Sequence, residues 1–120
     1  MTRLEALKEL LAKVEAGCVT SANDTAELLD IGGLRHAYST HAPNTIKAYN
    51  GSLDAAKALH EAVLPDAAVQ LTDMRPYRGS GGWLVSINWN SDKHQGANAD
   101  PACAWLIAIL KALIAQEQAA

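Results

Sequence analysis

The stretch that decides the fold is Trp83-Leu84-Val85-Ser86-Ile87-Asn88-Trp89. Trp83, Val85, Ile87 and Trp89 fall at every second position, so an extended chain projects all four from one face. Leu84, Ser86 and Asn88 form the other face, which is only partly apolar. Alternation of aromatic and β-branched residues at period two is the pattern of a strand with one buried side. Before it, Arg75 to Gly82 contains Pro76, Gly79, Gly81 and Gly82 and reads as a turn. Before the turn, Val69, Leu71 and Asp73 alternate with Gln70, Thr72 and Met74 as a second strand. Together they make an antiparallel ribbon.

Helices flank the ribbon. After Trp89, the polar stretch Asn90 to Ala99 reads as a loop leading to Asp100-Pro101. That pair starts a helix, with Asp100 as N-cap and Pro101 at the first helical position. Trp105, Leu106, Ile109, Leu110, Leu113 and Ile114 then follow the helical repeat in a wide stripe, which marks the helix as central. On the other side, a helix runs from Ser52 to about Val63, with Leu53, Ala56, Leu59, His60 and Val63 as its inner face. Leu64-Pro65-Asp66 ends it. The chain opens on a further helix, where Thr2 and Glu5 form a capping box and Leu4, Leu7, Leu11 and Val14, with Leu10 beside them, make one stripe. Gly17 is its natural stop. A shorter helix is expected from Ala22 to Asp30, capped by Ser21 and broken by Gly32-Gly33.

These elements predict a single α+β domain over residues 1–120. A small antiparallel sheet of two or three strands is sandwiched by helices, and the N- and C-terminal helices are long. Two strands alone barely hold in water. A third is therefore expected either from residues 38–50 or from a second copy of the chain in a homodimer.

Composition sets bounds on function. Apolar residues make up 49% and charged residues 19% of 120, an ordinary globular balance that argues against disorder. With three Trp, three Tyr and no Phe, the core must be built mainly from Leu, Ile, Val and Ala. A net charge of −3 lacks the basic excess expected of a chain that binds DNA through phosphate contacts. The N-terminus reads as an amphipathic helix and not a signal peptide. The apolar run Ala102 to Leu110 is too short to span a bilayer and ends at Lys111. A cytoplasmic protein with no membrane contact is the expectation, with Cys18 and Cys103 as free thiols.

No catalytic or metal-ligand signature stands out. His36, His41, His60 and His94 do not fall at zinc-ligand spacings with Cys or acidic partners. His60 on an apolar helix face reads as a hydrogen-bonded, semi-buried histidine. No Gly-x-Ser-x-Gly elbow is present, and Gly79-Ser80-Gly81-Gly82 joins two strands where a phosphate loop would open a helix. Cys103 lies near a helix N-terminus, where the dipole can lower a thiol pKa, although packing explains the same residue. The ribbon tip is the candidate binding site. Arg75, Tyr77 and Arg78 stand beside glycines there, with Trp83 just inside the strand, and Arg, Tyr and Trp are enriched at binding hot spots. Lys93 and His94, beyond the other end of the strand, complete a candidate set. No metal, cofactor or catalytic residue is expected.

The segments Tyr49-Asn50-Gly51-Ser52-Leu53-Asp54-Ala55-Ala56, Trp83 to Trp89 and Asp100-Pro101-Ala102-Cys103-Ala104-Trp105-Leu106 resemble the small phage and prophage proteins grouped as the phage ABA-sandwich family. The resemblance covers most of the chain and implies helices packed on both sides of a small sheet. It brings no catalytic residues with it. The polar residues Ser39, Thr40, His41, Asn44 and Thr45 before Tyr49 depart from the family pattern. The expectation that follows is a phage- or prophage-encoded, non-enzymatic protein that works through protein–protein contacts, with inhibition of a host defence system as a candidate role. The alternative is a small nucleic-acid or nucleotide binder using Arg75, Arg78, Lys93 and His94 on phosphates, with a Trp or Tyr for stacking.

Overall fold

The computed structural model describes residues 2–16, 51–74, 82–89 and 91–119. Its elements are α1 (Arg3–Ala16), α2 (Leu53–Val63), β1 (Ala68–Asp73), β2 (Trp83–Trp89), β3 (Asp92–Asn98) and α3 (Pro101–Ala119). The strands form one antiparallel sheet in the order β1-β2-β3, confirming a small α+β fold with helices at both ends. The helix expected at 22–30 and the segment 38–50 lie outside the described residues.

Residues 92–98, expected as loop, are a strand. The stretch Asp92-Lys93-His94-Gln95-Gly96-Ala97-Asn98 has no β-branched or aromatic residue, so its own propensity argues against a strand. Two tertiary features override that. A two-residue connection turns the chain back from Trp89 to Asp92, with Ser91 at φ 66, the left-handed conformation that tight hairpin turns use. Pairing then runs without a break from Trp89↔Asp92 to Trp83↔Asn98. The third strand thus comes from within the chain, from residues that the sequence pattern had assigned to a connection.

Register places Val69 and Leu71 of β1 opposite Ile87 and Val85, and Gly96 of β3 opposite Val85. These residues share one face of the sheet, where Val85 and Ile87 are fully buried and Trp83 and Trp89 are partly buried against the core. Helix α3 packs on this face, and its approach at β3 is backbone to backbone. A Cβ built on Gly96 would stand 2.2 Å from the Ala104 carbonyl oxygen and 2.7 Å from the Ala108 nitrogen. Glycine is required there for contact, not for flexibility.

Helix α3 is buried on every side from Ala102 to Leu110, with Ala112 and Leu113 beyond. By length and composition alone its 19 residues are apolar enough to cross a membrane, but 61% of that window is buried inside the protein. The whole helix therefore reads differently from the short run at its start. Its apolar surface is consumed by the sheet, by α1 and by α2. Asp100 caps it as expected, its Oδ1 accepting from the Ala102 nitrogen at 2.8 Å and the Cys103 nitrogen at 3.4 Å.

The outer helices follow their stripes with small adjustments. Thr2 Oγ1 accepts from the Glu5 nitrogen at 3.1 Å, and Ala6, Leu7, Leu10 and Val14 are the buried residues of α1. Arg3 pairs with Glu117, tying the start of α1 to the end of α3. In α2, Ser52 Oγ accepts from the Ala55 nitrogen at 3.1 Å. Leu53, expected on the inner face, is 42% exposed, while Ala55 is buried with Ala56, Leu59 and His60. At about 100° per residue, Leu53 lies about a quarter-turn from the centre of that stripe. Gly51, at φ +101, brings the start of α2 against Asp100, whose Oδ2 lies 3.0 Å from where a Cβ would be.

Two outcomes check this packing. Gly96→Ala should lower unfolding free energy by about 3 kcal/mol, because the two nearest of the clashing atoms are backbone. Lys93→Ala, on the same strand but exposed, should stay within about 0.5 kcal/mol of wild type in the same urea titration. Ile109→Ala removes a fully buried side chain from α3. A loss of about 2–4 kcal/mol is expected, and one under about half a kcal/mol would make α3 peripheral.

Candidate functional site

The end of the sheet where β1 stops and β2 starts is built by chain proximity more than by side chains. The Met74 nitrogen donates to the Gly82 carbonyl at 2.8 Å, which draws the two strand ends together. The end of β3 passes directly over Gly82, where a Cβ would lie 2.4 Å from the Asn98 carbonyl oxygen and 3.0 Å from the Ala99 Cα. Beside this contact lies a hollow of about 330 Å³, lined by Met74, Gly82, Trp83, Leu84, Ala97, Asn98 and Ala99. Its walls are mainly apolar. Asn98 is the one side chain there with hydrogen-bonding groups on an amide, and its Oδ1 already accepts from the Asp100 nitrogen at 3.0 Å. Among the described residues, the lining contains no carboxylate, imidazole or hydroxyl.

Of the five residues singled out in the sequence, Arg75, Tyr77 and Arg78 lie outside the described residues. Met74 and Gly82, which bracket their segment in the chain, both line the hollow. Lys93 and His94 sit elsewhere. They belong to β3 and pair with Asn88 and Ile87. Asn88 is five positions along β2 from Trp83, about 17 Å at ordinary strand rise. As neighbours in a strand they also point to opposite faces, Lys93 exposed and His94 half-buried with its Nε2 buried and without a hydrogen-bond partner. The two side chains therefore leave opposite faces of β3, at the end of the sheet away from Trp83.

Reasoning from sequence missed Met74, Leu84, Ala97 and Asn98 as lining residues. One signal was present in Leu84, a large apolar residue on the otherwise polar face of β2. Ala97 and Asn98 gave none, because their strand was itself unrecognised.

Cys103 is a free, buried thiol in the first turn of α3. Its environment reverses the effect expected from the helix dipole. Burial, and after it the carboxylate of Asp100, push the thiol above its ordinary pKa. Among the described residues no three of His, Cys, Asp or Glu gather as a metal site would require. Comparison with protein-family models, with curated proteins and with solved structures finds no match to this chain.

The thiol assignment predicts slow chemistry. With Cys18 replaced by serine so that only Cys103 reports, a thiol reagent at pH 7.5 should react at least about tenfold more slowly with the native protein than with the denatured chain. Equal rates would contradict the burial of Cys103.

Proposed function

We propose that the chain is a small phage- or prophage-encoded protein-binding module, without catalytic activity, that engages its partner at the Met74–Gly82 end of its sheet. The observation that carries this reading is the apolar hollow, whose rim residues Met74 and Gly82 bracket the segment holding Arg75, Tyr77 and Arg78. An apolar recess whose rim adjoins, in sequence, a segment rich in Arg and Tyr has the composition of a protein-binding hot spot, where anchors are worth ~2 kcal/mol or more each. Among the described residues, the lining holds no acid, base or nucleophile, which favours recognition over catalysis. Phage origin rests on the resemblance of residues 49–56, 83–89 and 100–106 to the phage ABA-sandwich family. Inhibition of a host defence component, in the host cytoplasm, is the role that fits a small binder of that origin.

Two variants test the reading. Leu84→Asp puts a charge into the hollow from a half-buried position on the less apolar face of β2. A triple replacement of Arg75, Tyr77 and Arg78 by Ala removes the tip. In pull-downs from host lysate, both should lose the partner that the wild-type protein captures, with melting temperatures within a few degrees of wild type. Capture unchanged by both variants would move the interface away from this end of the sheet.

A further inference from the structure

The hydrogen-bond phase of the sheet decides which groups its edges offer. The Met74 nitrogen donates to the Gly82 carbonyl. Bonded pairs alternate along an antiparallel ladder, so Thr72, Gln70 and Ala68 are the β1 residues bonded to β2, opposite Leu84, Ser86 and Asn88. The N–H and C=O groups of Val69 and Leu71 therefore point the other way, out of the sheet. Among the described residues, no group bonds them. In the order β1-β2-β3, β1 is the outer strand on its side, and it carries no lysine, proline or bulge to guard the edge. The other edge differs: β3 carries Asp92 and Lys93, both exposed. Helix α3 lies over β2 and β3. Val69 and Leu71 are accordingly only half-buried against the core, while Val85 and Ile87 beside them are fully buried.

We propose that β1 pairs with β1 of a second copy, antiparallel about a two-fold axis at Gln70, joining the two sheets into one. The strand Ala68-Val69-Gln70-Leu71-Thr72 reads alike in both directions from Gln70: small, aliphatic, glutamine, aliphatic, small. A two-fold contact needs this symmetry, because each residue meets the position equally far on the other side of the axis. Val69 then faces Leu71 of the second copy, and their outward N–H and C=O groups exchange main-chain hydrogen bonds. Gln70 faces Gln70 of the second copy, and each amide can both donate and accept. Asp73, the one charge in the strand, falls opposite Ala67 and about 20 Å from its own counterpart. An axis at Leu71 would satisfy the same main-chain groups but set the Asp73 carboxylate against Val69. A foreign extended peptide would need no symmetry in β1, so the second copy is the occupant the strand fits. The chain supplies its own third strand, and the pairing closes an edge that this strand leaves open.

Sedimentation and light scattering test the pairing. At high micromolar concentration the wild-type protein should have twice its monomer mass. Gln70 is exposed, and Gln70→Lys or Gln70→Glu sets like charges opposite each other only across the two-fold. Each variant should therefore dissociate at least about tenfold more readily than wild type. An equimolar mixture of the two should regain the doubled mass, because unlike charges then meet. Lys93→Glu, a charge reversal on the other edge, should leave the doubled mass unchanged. A wild-type protein that stays monomeric, including one whose β1 edge takes a peptide from another protein, overturns the proposal. So does a dimer insensitive to Gln70. If either variant does not fold, hydrogen exchange at the Val69 and Leu71 amides decides it on the wild type alone. Their protection should rise with protein concentration, and exchange at the rate of free amides at every concentration would overturn the proposal.

Discussion

The structure depends on one close approach, that of the α3 backbone to the β3 backbone at Gly96. A helix normally meets a sheet through a layer of side chains. Here the strand presents no side chain at the contact, and the helix meets it with the Ala104 and Ala108 backbone and the Cβ of Ile107. Two consequences follow. A strand with little β-propensity is held in place by the helix, and the helix sits deep enough to bury its whole first half. The Ala-rich composition of α3, which does little for hydrophobic burial per residue, is explained by this geometry.

Because α3 is surrounded, the other elements are organised by it. The sheet takes one side, α1 is joined to its far end through Arg3 and Glu117, and α2 is joined near its start through His60 and Trp105. The N-termini of α2 and α3 meet where Gly51 abuts Asp100. Two segments distant in sequence therefore touch, and the contact is one of caps and backbone. The sheet end opposite the β2–β3 turn is where this packing leaves space, and there the apolar hollow forms. Fold and site share a cause. Gly82, like Gly96, lets another chain segment pass where a side chain would stand.

Much of this was legible in the sequence. The strand at 83–89, the caps at Thr2 and Asp100, the helix start at Ser52 and the central helix were readable because each is a local pattern of period or capping chemistry. Strand β3 was not, because its residues are polar and its reasons for being a strand lie on β2 and α3. The same gap hid half of the hollow, since Ala97 and Asn98 belong to β3. Cys103 was legible as a packing residue. Its place near a helix start was right, but burial outweighed the dipole, and burial is decided by elements distant in sequence. His60 was read as a hydrogen-bonded histidine, while its partners, Trp105 and the Ala67 carbonyl, became visible only with the fold.

If α3, β2 and β3 form one cooperative unit, their amides must share one free energy of opening. Native-state hydrogen exchange measures this directly. The amides of Ala104 to Leu113 and those paired between β2 and β3 should exchange only through global unfolding, with the same protection as one another. Exchange of the β3 amides through a local opening, many-fold faster than those of α3, would show that the strand is not held by the helix and would contradict the account.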